Sequence, residues 1–121
     1  LMNENHLLGQ EAETRAANYF IEKGFSVLER NFRYQKAEVD LIVRKKNILV
    51  AVEVKARRTD YFGLPQDFVR QKQRQRLIMA IDYYVVERNL DVDVRFDILA
   101  FVVQNGKWNR AHIENAFNYF T

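Results

Sequence analysis

Glu38-Val-Asp-Leu-Ile-Val-Arg-Lys-Lys-Asn-Ile-Leu-Val-Ala-Val-Glu-Val-Lys55 is the stretch on which the fold turns. It contains two runs rich in aliphatic residues, Glu38 to Arg44 and Ile48 to Ala56, divided by Lys45-Lys46-Asn47. So short a polar break between two such runs signals a β-hairpin. Ile48 to Val52 is apolar on both faces, which predicts a central strand covered on both sides. Alternation puts Glu38, Asp40 and Ile42 on one face and Val39, Leu41 and Val43 on the other. On the second strand Leu49, Ala51, Glu53 and Lys55 share a face. A two-residue turn at Lys46-Asn47 pairs Lys45 with Ile48. Carried along the hairpin, that register sets Asp40 opposite Glu53 and Glu38 opposite Lys55.

Two carboxylates in directly opposed positions repel unless a cation lies between them. With oxygen ligands and no cysteine anywhere in the chain, Mg²⁺ or Mn²⁺ is the chemically suited ion. The bare acid-x-base triplet is weak, occurring also as Glu13-x-Arg15 and Asp93-x-Arg95. Only Glu53-Val54-Lys55 follows a central apolar strand that hairpins with a second acid. The competing reading is a same-face ion pair on a half-exposed strand.

Outward from the hairpin, the chain reads as one α/β domain over residues 1–121, in the order α-β-β-β-α-β-β, with residues 1–7 as a mobile terminus. Leu8 to Lys23 is helical, with Ala12, Ala16, Tyr19 and Phe20 on one face and Gly24 as the C-cap. Glu13 lies at or beside that apolar face, whereas Glu11 aligns with Arg15 on the wet one. Phe25 to Phe32 reads as a strand. Residues 57–64 form a loop, and Pro65 suits the first turn of a long helix ending near Asn89. Its apolar stripe is Leu77, Ala80, Ile81, Tyr84 and Val85. Val92 to Val103 and Trp108 to Ile113 are strands joined by the turn dipeptide Asn105-Gly106.

Composition narrows the class. The 121 residues are 48% hydrophobic and 13% aromatic, which excludes a disordered chain. No apolar run reaches transmembrane length and no signal peptide is visible, so a cytoplasmic protein without membrane contact is expected. The net charge of +3 is unevenly placed. Lys55, Arg57, Arg58, Arg70, Lys72, Arg74 and Arg76 stand against only Asp60 and Asp67 in that span. This is the footprint of a polyanion partner, with a solvated helix face as the alternative. Tyr61 and Phe62 could stack on bases, although loop packing is the simpler role. His6, His112 and Asp97 read as structural.

Asp40, then Glu53-Val54-Lys55 thirteen residues on, with a helical Glu13 upstream, resembles the PD-(D/E)XK nucleases, and most of all their Holliday-junction resolvase branch. Gly9-Gln10-Glu11-Ala12-Glu13, Arg30-Asn31-Phe32-Arg33, Phe62-Gly63-Leu64-Pro65, Arg95-Phe96-Asp97 and Asn115-Ala116-Phe117 extend the likeness. Together these segments resemble the bacterial YraN-like family in collinear order from about Leu8 to Phe117. Ala37 and Ala51 depart from that family's usual glycine and bulky residue. The resemblance implies a restriction-endonuclease-like fold with a mixed sheet of about five strands. It makes Asp40 and Glu53 metal ligands, with the Val54 carbonyl as a third and Glu13 ligating directly or through water. It gives Lys55 the attacking water or the transition-state charge. It also implies cleavage of DNA, in preference to RNA, by a homodimer. A binding module that keeps the fold without catalysis, and a protein-interaction domain with a basic helix, are the other two readings.

Overall fold

A computed structural model describes residues 4–58 and 69–118. Helix α1 (Glu4–Glu22) is followed by strands β1 (Ser26–Tyr34), β2 (Ala37–Lys45) and β3 (Ile48–Arg57). Helix α2 (Gln71–Glu87) then leads to β4 (Asp93–Gln104) and β5 (Lys107–Phe117). The order expected from sequence is therefore the observed one, in an α/β architecture with a five-stranded mixed sheet. The strands lie in the order β1-β2-β3-β4-β5, antiparallel except for the parallel β3–β4 pair that α2 connects.

β3 is central, and a core forms on each of its faces. On one side Leu49 and Ala51 pack with Leu77, Ala80, Ile81 and Tyr84 of α2. On the other, Val50 and Val52 pack with Ala12, Ala16 and Phe20 of α1. Two-sided burial explains why Leu49 to Val52 carries no alternation, whereas Ile48, at the start of the strand, is 37% exposed and lies outside the expected cover.

The helices end by one device. Gly24 takes φ +92, and the Gly24 and Phe25 N–H groups return to the Ile21 and Phe20 carbonyls at 3.0 Å. Phe25 then meets Phe20 edge-on at 5.4 Å, completing a Schellman motif with its apolar contact. Asn89, at φ +50, does the same for α2 through the Asn89 and Leu90 N–H groups. At its other end α2 starts later than Pro65, which lies outside the described residues. Val69 is buried in the sheet-facing core and Arg70 is extended, with ψ 156°, so helix begins at Gln71. The terminus expected to be mobile over residues 1–7 is helical from Glu4.

β5 runs four residues past the expected Ile113. Between the Ile98↔Ile113 and Phe96↔Phe117 pairs, Asp97 faces an excess of residues on β5, where Asn115 turns left-handed. The Asp97 carboxylate fills the gap. It accepts hydrogen bonds from the Asn115 N–H (3.0 Å) and from Arg95 Nε and Nη2 (2.9 Å each), and it lies 2.7 Å from His112 Nε2. His112 Nδ1 in turn sits 2.9 Å from the Tyr19 hydroxyl. Asp97 and His112 are thus structural, as expected, but His112 does have an acidic partner, brought from the neighbouring strand. Among the described residues no helix is long and apolar enough to cross a membrane.

Candidate metal-binding active site

The β2–β3 hairpin follows the expected register from Lys45↔Ile48 to Leu41↔Val52, and there the ladder stops. One step further Asp40 Oδ2 accepts the Val54 N–H at 2.8 Å, so a side chain replaces the main-chain acceptor. The two backbones part to admit it. In an extended strand a residue's N–H and C=O point to the same side, so the Val54 carbonyl shares this open edge.

The neighbouring strand pair has its own irregularity at the same level. Asn31 is left-handed (φ +54) between the Arg30↔Leu41 and Phe32↔Val39 pairs. The side chains change face there. Val39 packs in the α2-side core and Leu41 in the α1-side core, against the simple alternation that put both on one face. On β1, Arg30 reaches Thr14 of α1 at 3.4 Å, while Phe32 lies against Tyr84 of α2. Asp40 occupies the crossover. Glu38 does not meet Lys55 but pairs with Arg33 across β1–β2 at 3.2 Å.

Glu53 is 7% exposed, and its Oε2 makes no hydrogen bond among the described residues. Its Oε1 lies 3.6 Å from Lys55 Nζ. Burial, reinforced by the Asp40 charge, pushes the Glu53 carboxyl up to about 9. Burial also raises Asp40, with a smaller push from Glu13, against the lowering effect of the Val54 hydrogen bond. Two acids that resist ionisation beside an orphaned oxygen form an electrostatic defect. A hard divalent cation would remove it, since Mg²⁺ needs only one or two carboxylates and retains several waters. The donor set present fits such an ion.

Asp40 and Glu53 line a cavity of about 420 Å³ with Lys36, Gln73, Arg76 and Leu77. Glu13, half-buried on α1, lines another of about 520 Å³ with Val54, Lys55, Arg57 and Arg58. The end of β3 supplies consecutive residues to both. No group of three or more Asp, Glu, His or Cys gathers closely enough to cage a metal among the described residues. Asp40 and Glu53 are thus the acids that share one cavity, and the Glu13 charge bears on Asp40 from the neighbouring one.

The basic residues separate by position. Arg76 reaches the carboxylate cavity, Arg57 and Arg58 the Glu13 cavity, and Arg70 and Lys72 are exposed near the start of α2. Arg74 is committed elsewhere, donating to the Val69 carbonyl at 2.8 Å and lying over the Phe117 ring at 5.6 Å. Tyr61 and Phe62 lie outside the described residues. Lys36 and Gln73 are the cavity residues that sequence reasoning missed. Lys36 sits in the tight turn after Gln35 (φ +54), with no local pattern to mark it.

Known proteins share this sequence over almost its full length. A UPF0102 protein of Christiangramia forsetii is 49% identical over 119 residues, covering 98% of this chain and all of the relative. A second, from Flavobacterium psychrophilum, is 43% identical over the same shares. Among solved structures, the crystal structure of SSO0001 aligns with a TM-score of 0.41 and 16% identity, over 95% of this chain and 54% of that one. A likeness that loose bears on neither fold family nor function. The family model described as "Uncharacterised protein family UPF0102" matches residues 12–101. On these matches the chain belongs to the UPF0102 family.

Proposed function

We propose that this protein is a divalent-metal-dependent endonuclease of the PD-(D/E)XK type, with a restriction-endonuclease-like fold, acting on DNA and on branched DNA in particular. The observation that carries the reading is the pairing of half-buried Asp40 with buried Glu53, with Glu53 Oε2 unpartnered among the described residues and Lys55 Nζ 3.6 Å from Oε1. Structural acids in a core collect donors on both oxygens, as Asp97 does; Glu53 does not.

Asp40, Glu53 and the Val54 carbonyl would hold Mg²⁺ or Mn²⁺, with Glu13 joining through water. The bound ion would supply a water of lowered pKa and a counter-charge for the phosphate. Lys55, only 19% exposed at its side chain, would orient the attacking water and offset the negative charge that grows on the phosphate. Arg76, at the rim of the cavity, positions the strand by a phosphate contact. Two copies acting together would cut both strands of a junction.

The deciding experiment is cleavage of supercoiled plasmid and of a synthetic four-way junction with Mn²⁺. Wild type should cut, while Glu53→Gln and Asp40→Asn should lose cleavage and keep DNA binding, because they remove ligands rather than phosphate contacts. Equal cleavage by all three would mean that the activity lies elsewhere. Binding without any cleavage would leave the non-catalytic module as the function.

A further inference from the structure

Away from the carboxylate pair, α2 presents an unusual ridge. Lys72, Arg76, Met79 and Tyr83 recur at four, three and four residues, which aligns them on one face. Met79 is 55% exposed and Tyr83 42% exposed. Opposite stands the β1–β2 turn, where the Tyr34 ring lies nearly parallel to that of Tyr83, with centroids 4.3 Å apart and planes at 23°.

Three hollows join along this line. The carboxylate cavity shares Lys36, Ala37 and Arg76 with a second, which Tyr34 and Met79 also line. That second hollow shares Tyr34 and Gln35 with a third, bordered by Tyr83 and Arg88. The result is a row of adjoining hollows with shared walls, running from Glu53 to Arg88. Beyond the metal-site acids it carries Lys36 and Arg76; Arg88, next to Glu87, lies over the Tyr84 ring at 3.9 Å, and Arg33 is neutralised by Glu38. Lys36 and Arg76 have no ion-pair partner among the described residues.

We infer that this row of hollows binds an unpaired stretch of DNA, with a base stacked on the outer face of the exposed Tyr83 ring, whose inner face Tyr34 covers, and the backbone tracked by Lys36 and Arg76. Alternating cations and exposed rings suit single strands, because every base offers a π-face and every linkage a phosphate. A second copy of this chain, which is basic itself, is a poorer match for Lys36 and Arg76, two cations without an ion-pair partner among the described residues. The inference rests on the nuclease reading and sharpens it, since it makes the substrate a junction with an unpaired arm that leads away from the metal site.

The test is binding, measured with chelator present so that cleavage plays no part. The probes are a fluorescent blunt duplex and the same duplex with an unpaired tail of about ten nucleotides. Wild type should prefer the tailed probe. Tyr83→Ala should weaken tailed binding by about tenfold, the effect of removing one stacked base. It should leave blunt binding unchanged, and Tyr83→Phe should restore the preference. Melting curves check that each variant folds. Equal affinity of wild type for both probes, or a weakening of equal size on both, overturns the inference. So does a Tyr83→Ala change that appears only in oligomeric state, which would make the ridge an interface between copies. Because no cleavage is needed, failure here is separate from failure of the plasmid and junction assay.

Discussion

The Asp40 carboxylate accepts the Val54 N–H at 2.8 Å at the point where β2 and β3 stop pairing. Asp97 uses the same device on the other side of the sheet, accepting the Asn115 N–H where β4 and β5 lose register. The two aspartates differ in what surrounds the second half of the carboxylate. Burial would raise Asp97, but its hydrogen bonds with His112 and Arg95 outweigh that and hold it below the ordinary carboxylate value. Burial raises Asp40 too, and there Glu13 adds to the push. One site is closed by its own hydrogen-bond partners; the other sets acid against acid.

Neutralising Asp40 should therefore stabilise the metal-free protein. Asp40→Asn can keep its oxygen on the Val54 N–H while removing one charge from the pair. A gain of about 1 kcal/mol is expected, the size usual for relieving strain at a functional site. Mn²⁺ should raise the wild-type melting temperature by mass action and move the variant much less. Four melting curves after chelator treatment decide it. A destabilised variant, with no Mn²⁺ shift in either protein, would make Asp40 an ordinary structural acid.

Glu53 sets a pH dependence. In the folded chain it keeps its proton to about 9, against an ordinary value of 4.5. Across that window the folded state holds a proton that the unfolded chain has released, so stability falls as pH rises. Urea midpoints of the metal-free protein should thus decline from mildly acid to mildly alkaline buffer. Glu53→Gln is neutral throughout and should flatten the decline. A parallel slope in the variant would place its source in another group.

Asp97 works in the opposite sense. Its lowered pKa contributes stability above the ordinary 3.8 and loses it as pH falls through the folded value. Asp97→Ala should cost about 3–5 kcal/mol, because it strands Arg95 and His112 without their partner. Chemical denaturation measures it. A cost below about 1 kcal/mol would mean that the cluster is dispensable.

Asn31 is tested through its backbone. At φ +54 a β-branched residue is strained, so Asn31→Val should destabilise by about 1–2 kcal/mol while Asn31→Gly is tolerated. If the left-handed residue is what lets β1 and β2 change face at Asp40, the valine variant should also lose Mn²⁺ stabilisation. A valine variant with unchanged Mn²⁺ response would separate the crossover from the site.

The cations of α2 divide by role. Replacing Arg70, Lys72 and Arg76 with Ala should flatten the salt dependence of duplex binding, by about 0.9 in log–log slope for each phosphate no longer neutralised. Arg74→Ala should leave that slope alone and lower the melting temperature, since its guanidinium serves Val69 and Phe117. The reverse pattern would exchange the two assignments.

Local chemistry in the sequence determined the element order, the hairpin register from Lys45↔Ile48 to Leu41↔Val52 and the helix stop at Gly24. It also determined the central place of β3. Each of these depends on neighbours within a few residues: a two-residue turn sets register, a glycine tolerates positive φ, and a run without alternation demands cover on both faces. The tertiary structure alone decided the rest. Strict alternation put Val39 and Leu41 on one face; the folded sheet places them in opposite cores, at the level where Asn31 of the neighbouring strand is left-handed. The same alternation brought Asp40 opposite Glu53. Whether that pair would be a ladder position or a divergence was decided by the Val54 N–H, which took the carboxylate in place of a carbonyl. His112 found Asp97, Arg74 found Phe117, and Tyr34 found Tyr83 for one reason: long side chains meet across elements that no sequence spacing records.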